Sequence, residues 1–385
     1  MTSAFATRRK ICFFVRQLDG GGAQKIMLKL ANATAELGND LEVHLVTLQS
    51  KGMFDRIVRE RVHVHQLPAK RLLTASRAFA RFIKENRPDV VIATEVVPNI
   101  IAVSAVLLSG RRKQTRLIVR EALYPSIAMK SSPHRATRLG YRIARFFYPR
   151  ADAVIAIAHD MVDDLSKVAH VPKDRIVPIN INPCVDDRVL ALSKEAAPHP
   201  WLDDPAVPCA VAVGRLADQK GFDIAVAAVA KVARQRPVRL LIVGDGPLRD
   251  QLQAQIHALE ATDYIKLAGK TPNPYAFMAH ATMFLMPSRY EGLGNVLIEA
   301  LACGSPPIAA NCLVGPRETL ADGAYGALFP VDDVDALATA IQTVLDSPPD
   351  RERLRHRGLD FTAEASLRHY LPVILGESGA GDLPR

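Results

Sequence analysis

A chain of 385 residues with 49% hydrophobic content is long enough for two domains of ordinary size. Its five cysteines, Cys12, Cys184, Cys209, Cys303 and Cys312, form no Cys-x-x-Cys pair, which argues against a structural zinc or a disulfide scaffold and for a reducing compartment. The charge is lopsided: residues 1–190 hold 31 Lys+Arg against 17 Asp+Glu and the remainder 18 against 23, within a net of +9. A basic half suits an anionic partner, and no recognition motif for nucleic acid accompanies it.

Along the chain, short apolar runs alternate with amphipathic stretches, the pattern of βαβ units and parallel sheets. The first half offers strands at Ile11–Val15, Leu41–Leu48, Val62–Leu67, Asp89–Thr94, Arg116–Arg120 and Ala153–Ile157. A helix after Gly22 carries apolar positions Ile26, Met27, Leu30, Thr34 and Leu37, with Gly38 as its stop. The Pro- and Ala-rich segment Glu195–Pro208 reads as a linker. Beyond it, strands are expected at Ala210–Val213, Leu240–Val243, Tyr264–Leu267, Met283–Met286, Ile308–Ala310 and Ala327–Phe329, and a helical tail from Asp350 to Leu375. The run Ile11–Val15 is too short for a signal peptide, and Asn99–Leu108 falls short of a membrane span. The expected location is the cytoplasm, with peripheral contact at the inner face of the cytoplasmic membrane left open.

The most informative stretch runs from Ser288 to Ile308, where Glu291 and Glu299 stand with seven residues between them. A glycine-containing turn separates Glu291 from an apolar helix, so the order is strand, turn, helix N-terminus. Backbone N–H groups near Gly292, Leu293, Gly294 and Asn295 make a natural anion site there. A phosphate at the helix start could then have hydroxyl-bearing groups on either side, each held by one carboxylate. Three further segments follow expected strands: Gly20-Gly21-Gly22-Ala23-Gln24, Gly214-Arg-Leu-Ala-Asp-Gln-Lys-Gly221 and Val243-Gly-Asp-Gly-Pro-Leu248. Arg215 and Lys220 share one loop, where two fixed cations suit an anionic group.

With Glu291-x7-Glu299 inside Ser-Arg-Tyr-Glu-Gly and followed by Glu-Ala-Leu-Ala-Cys-Gly-Ser-Pro, these segments resemble the retaining glycosyltransferases of the GT-B fold, family four. The resemblance covers nearly the whole chain. It implies two Rossmann-like, doubly wound parallel-sheet domains facing across a cleft: 1–192 for the acceptor, a linker at 193–208, 209–355 for the nucleotide sugar, and a tail at 356–385 crossing back to the first domain. It further implies that Arg215 and Lys220 grip the diphosphate without an obligatory metal or other cofactor. Glu299 would take the ribose hydroxyls and Glu291 the donor sugar. Gly21, Gly22, Gly214, Gly244, Lys270, Gly292, Leu293, Gly294 and Asn295 would line the donor. Asp245 could do no more than cap a helix beginning at Pro247.

One departure stands out. Many members place a histidine or aspartate at the end of a first-domain strand, where this chain has Arg120 and Glu121. Glu121 could accept the acceptor's proton, bind the donor sugar, or pair with Arg120; Glu95 is a second candidate for that role. Asn182-Pro-Cys-Val-Asp186 resembles a structural turn of the family. Two stretches, Lys70–Arg87 and His134–Arg150, mix cations with Phe, Leu and Tyr and could lie on an anionic bilayer.

The expected activity is transfer of a hexosyl unit, with retention, from a nucleotide sugar (UDP-linked) to a glycan or polyprenyl-diphosphate-linked acceptor in surface polysaccharide synthesis. The rivals are a nucleotide-sugar epimerase of the same fold and a non-catalytic nucleotide-sugar-binding partner.

Overall fold

The computed structural model of the protein describes residues 8–18, 22–48, 58–67, 69 and 71–377. The chain divides into two compact units, residues 1–183 with 363–385, and residues 184–362.

The first unit is built on seven parallel strands: β1 (Arg9–Val15), β2 (Leu41–Thr47), β3 (Val62–Gln66), β4 (Val90–Thr94), β5 (Arg116–Glu121), β6 (Ala153–Ala156) and β7 (Ile176–Pro178). Their order is β3-β2-β1-β4-β5-β6-β7, so the winding reverses between β1 and β4. Residues 11–15 of β1 and the whole of β4 are buried, as strands covered by helices on both faces must be. Thus Phe13, Phe14, Val91 and Ile92 show no exposed surface. The helix Gly22–Glu36 packs Ile26, Met27 and Leu30 inward. It stops one residue before Leu37, which is half exposed rather than part of the apolar face.

The second unit repeats the design with six strands: β8 (Cys209–Val213), β9 (Arg239–Val243), β10 (Ile265–Gly269), β11 (Met283–Met286), β12 (Pro307–Ala310) and β13 (Ala327–Phe329). The order β10-β9-β8-β11-β12-β13 puts its reversal between β8 and β11. One core, around Val226, Val229, Leu240, Ile242 and Ile341, covers one face of this sheet. A second, around Val211, Leu241, Phe284, Leu297 and Leu301, covers the other.

The stretch expected as a linker belongs to the second unit. The helices Asp187–Leu192 and Pro200–Asp203 are anchored there: Asn273 Nδ2 donates to the Leu192 carbonyl at 3.0 Å, and Lys266 and Arg239 stack on the Trp201 ring. The expected tail is likewise two helices. Arg351–Leu359 lies in the second unit and Ala363–Leu375 in the first, where Arg116 Nε donates to the Val373 carbonyl at 3.0 Å. Among the described residues no helix is long and apolar enough to cross a membrane.

Candidate active site

In open α/β sheets, ligands bind beyond the carboxyl ends of the strands where the winding reverses. In the second unit that point lies past β8 and β11. The β8 loop runs from Gly214 to Gly221 and the β11 loop from Pro287 to Gly294, and each carries a charged group to the other. Lys220 Nζ sits 2.6 Å from Glu291 Oε1, with Lys220 about one fifth exposed and Glu291 nearly buried. Ser288, fully buried, donates to the same carboxylate oxygen at 2.7 Å.

Three contacts fix the two loops together. Arg289 N donates to the Gln219 carbonyl at 2.9 Å. Gln219 Nε2 donates to the Tyr290 carbonyl at 3.0 Å. The Arg289 guanidinium reaches Asp218, Asp223 and Asp332 at 3.2, 2.6 and 2.8 Å. The Asp223 hydrogen bonds push the Arg289 pKa up.

Backbone fit matters as much as charge. Gly244, after β9, approaches Gly214 so closely that a Cβ would stand 1.8 Å from its carbonyl oxygen. Gly315, at a φ of 95°, leaves a Cβ only 2.4 Å from the Leu293 carbonyl oxygen and 2.7 Å from that of Gly292. Only glycine fits there, so the Gly315-Pro-Arg-Glu run supports the turn at Gly292 and Leu293 from outside the motif. Gly294, at a φ of 76°, precedes the helix Asn295–Ala302, which carries Glu299. Glu299 Oε1 accepts from the Tyr275 hydroxyl at 3.3 Å.

Arg215 is exposed, and among the described residues no hydrogen bond or ion pair holds its guanidinium. Lys270 is exposed on the loop after β10, beside Gly269, whose carbonyl accepts from Gly244 N at 2.8 Å. Asp245 hydrogen-bonds its neighbour Gly246, and the next helix begins at Arg249 rather than Pro247. One Asp-x-Asp run occurs, Asp333-Val334-Asp335, and its carboxylates are engaged. Asp333 caps the helix Val334–Asp346 by accepting from Ala336 N at 2.8 Å, and Asp335 pairs with Lys231. Among the described residues no group of three metal-ligating side chains converges.

In the first unit the reversal lies past β1 and β4, and a cavity of about 600 Å³ opens there. Its lining includes Arg16 and Gln17 after β1, Glu95 after β4, Glu121 at the end of β5, and His134, Arg135 and Tyr141. Arg120 and Glu121, adjacent on a strand, point to opposite faces and do not pair. Arg120, buried, donates to Tyr370, Thr94 and Asn182. Asn182 thus acts structurally, as its family turn suggested.

Glu121 is completely buried. Its Oε2 accepts from Tyr141 at 2.6 Å, and its Oε1 accepts from Asn99 at 3.1 Å and from the Tyr148 hydroxyl. Burial pushes its pKa up to about 7 against these three donors, and the charge of Glu95 adds to the rise. Its oxygens are therefore already engaged, which fits a structural anchor better than a free proton acceptor. Gly22 opens the helix beside this cavity; Gly20, Gly21 and Lys70 lie outside the described residues.

Ser288, Tyr275, Asn99, Tyr141 and Tyr148 belong to these sites without being among the residues the sequence motifs assign to them. Ser288 stands three residues before Glu291 inside the motif, a signal that was available. The Tyr275 contact with Glu299 had none.

Known proteins carry the same two-part design. A Campylobacter jejuni enzyme, N-acetylgalactosamine-N,N'-diacetylbacillosaminyl-diphospho-undecaprenol 4-alpha-N-acetylgalactosaminyltransferase, is 26% identical over 91% of this chain and 93% of its own. The lipopolysaccharide core biosynthesis glycosyltransferase LpsE of Rhizobium meliloti is 27% identical over 92% and 96%. Among solved structures, the apo lipopolysaccharide outer core galactosyltransferase WaaB superposes with a TM-score of 0.74 at 19% identity, covering 96% of this chain and all of that one. Anabaena Alr3699/HepE in complex with UDP and glucose superposes at 0.69 and 19%, covering 96% and 98%. Residues 21–181 match the model of the glycosyl transferase 4-like domain and residues 194–360 that of glycosyl transferases group 1; with both units matched, this chain belongs to the group 1 glycosyltransferases.

Proposed function

We propose that the enzyme is a retaining, metal-independent hexosyltransferase that takes a UDP-linked sugar as donor and a lipid-linked saccharide as acceptor in surface polysaccharide synthesis. The observation that carries the donor side is the junction of Lys220, Glu291 and Ser288 at the reversal point of the second sheet. A cation and a carboxylate fixed side by side can hold a diphosphate and a sugar hydroxyl of one molecule at once. In this reading Lys220 and Arg215 neutralise the diphosphate as it leaves, Glu291 orients the transferred sugar, and Glu299 holds the ribose. Gly292, Leu293, Gly294 and Asn295 offer backbone N–H groups to the phosphates. The lipid-linked acceptor is suggested by the Campylobacter relative, whose name includes a diphospho-undecaprenol saccharide.

The apolar and basic face around His134–Arg150 supports contact with an anionic membrane. On the helix Arg135–Ala144 and the turn after it, Leu139 is 58% and Phe146 55% exposed, and Arg142 and Arg145 are exposed beside them. The other amphipathic stretch is divided: Phe79, Phe82 and Ile83 of the helix Leu72–Asn86 are buried, while Leu72 and Leu73 at its start are exposed.

The test is nucleotide release from a panel of UDP-, GDP- and ADP-sugars, with EDTA present and absent, by wild type and by Arg215→Ala, Lys220→Ala and Glu299→Ala. Slow release from a UDP-sugar, insensitive to EDTA and lost in the variants, is expected. Donor binding without turnover, even with lipid-linked acceptor added, would turn the reading toward a non-catalytic binding partner. Sedimentation with anionic liposomes tests the surface, and full activity on a soluble acceptor without liposome binding removes that part.

A further inference from the structure

The cavity of the first unit contains a strained residue for which the fold alone gives no reason. Glu95 follows β4 with φ 72° and ψ 144°, next to a region that side-chain-bearing residues avoid and glycine occupies at little cost. Its backbone is held on both sides: its N–H donates to the Arg120 carbonyl at 3.2 Å, and its own carbonyl accepts from Asn99 N at 2.9 Å. A glycine would satisfy the same bonds without strain. Keeping glutamate puts a carboxylate into the cavity instead.

There the carboxylate meets polar groups whose bonding is incomplete. Gln24, at 6% exposure, donates its amide to Glu95 Oε2 at a long 3.2 Å. The Gln24 side-chain Oε1, buried, has no partner among the described residues. Arg16, His134 and Arg135 line the same cavity and are exposed, so no described salt bridge neutralises Glu95. Burial raises its pKa, and the Gln24 bond, Arg16, Arg120 and His134 pull it back. An under-bonded carboxylate beside an unpaired amide oxygen calls for a ligand rich in O–H and N–H donors. Exposed cations on the same wall call for an anionic group on that ligand.

We propose that Glu95 positions the acceptor, taking hydrogen bonds from hydroxyl or amide N–H groups of its terminal sugar, while Arg16, His134 and Arg135 face an anionic group of the same molecule. This rests on the glycosyl-transfer reading above and narrows its acceptor to a saccharide bearing a charge within one cavity's length of the receiving sugar. Glu95 is a positioning residue, and backbone strain at the strand end keeps its side chain there.

Two probes test this: a water-soluble short-chain prenyl diphosphate carrying an N-acetylhexosamine disaccharide, and the same disaccharide without the diphosphate. Binding of each is measured by calorimetry for wild type, Glu95→Gln, Glu95→Gly and Arg135→Ala, alongside melting temperatures and wild-type donor hydrolysis. Wild type is expected to bind the charged probe more tightly than the neutral one, with Arg135→Ala shrinking that difference. Losing the carboxylate removes an acceptor of charge-assisted bonds, so Glu95→Gln should weaken both probes by about tenfold or more. In steady state the acceptor KM rises while the donor KM moves little. Glu95→Gly should lose affinity equally and melt a few degrees higher, because glycine relieves the backbone. A purely structural Glu95 predicts the higher melting temperature with unchanged affinities, and that result overturns the proposal. So does wild type binding neither probe, or Glu95→Gly melting lower. Donor hydrolysis separates the cases: if it persists while the probes fail, the acceptor assignment falls and the transferase reading stands.

Discussion

The two sheets reverse their winding in the same way, yet Glu291 at one reversal point and Glu121, one strand over from the other, are held oppositely. Past β8 and β11, Glu291 is answered by a full cation, Lys220, and the loops carrying them are pinned by Arg289. Past β1, β4 and β5, Glu121 is surrounded by neutral donors, Tyr141, Tyr148 and Asn99, in a completely buried position. A carboxylate beside a cation forms a pair that can hold an anion and a hydroxyl of one ligand together. One buried among neutral donors rises toward neutrality. Topology therefore places a site, and the partner of the carboxylate decides what it can do there.

The sharpest way to break this contrast is to remove the cation. Lys220→Ala leaves Glu291 nearly buried with Ser288 as its side-chain partner among the described residues and takes a charge from the proposed diphosphate position. A loss of about 10³-fold in kcat/KM on the nucleotide sugar is expected. A change below tenfold would mean the pair is a structural clamp.

Next in size is the pH response of the other carboxylate. Glu121 titrates near 7 in the folded protein against an ordinary 4.5. A raised folded pKa adds stability below the unfolded value and loses it as pH rises through the folded one. By linkage, the buried charge costs about 3 kcal/mol at pH 8, and that cost fades as pH falls from about 7 to 4.5. Glu121→Gln should therefore be the more stable protein at pH 8 in urea unfolding, with the advantage shrinking toward pH 5. His44 and His65, whose pKa values burial lowers, pull the other way below their ordinary value, but they cancel when wild type and variant are compared at each pH. A variant less stable than wild type at pH 8 would show that the three hydrogen bonds outweigh the desolvation.

Sequence made one side of this contrast more legible than the other. Runs such as Met283–Met286 are apolar on both faces, and the six strands of the second sheet lie within a few residues of where those runs suggest. The glycine motifs after β8, β9 and β11 lie next to one another because a doubly wound sheet gathers its strand ends there. The strand β7 leaves little sequence signal because it is three residues long and ends in Pro178. The Lys220–Glu291 contact joins residues 71 apart, so its parts were visible and its pairing was not. Tyr141 and Tyr148 lie within the amphipathic stretch His134–Arg150. They are fully buried against Glu121, and helical spacing cannot say which aromatic of a mixed face meets a buried acid.

Smaller effects should follow from the supports of each site. Gly315→Ala drives a methyl into the Leu293 and Gly292 carbonyls, backbone atoms that cannot rotate away. We expect a stability loss of about 2 kcal/mol and weaker donor binding. Weakened acceptor binding with normal donor affinity would contradict the assignment of this turn to the donor.

The smallest expected effect probes the neutral-donor side. Tyr141→Phe deletes one hydroxyl that donates to Glu121 and leaves the ring in place. That bond favours the charged carboxylate, so its loss should push the Glu121 pKa still higher. A hydrogen bond to a charged group is worth more than one to a neutral group, and the difference is about 1 kcal/mol. The variant should therefore be destabilised more at pH 8 than at pH 5, by about that amount, in parallel urea titrations. In combination with Glu121→Gln the pH dependence of the Tyr141→Phe cost should vanish, because the amide does not titrate. An equal cost at both pH values in the single variant would mean that Tyr141 contributes packing alone. Glu121 would then owe its place in the wall to Tyr148 and Asn99.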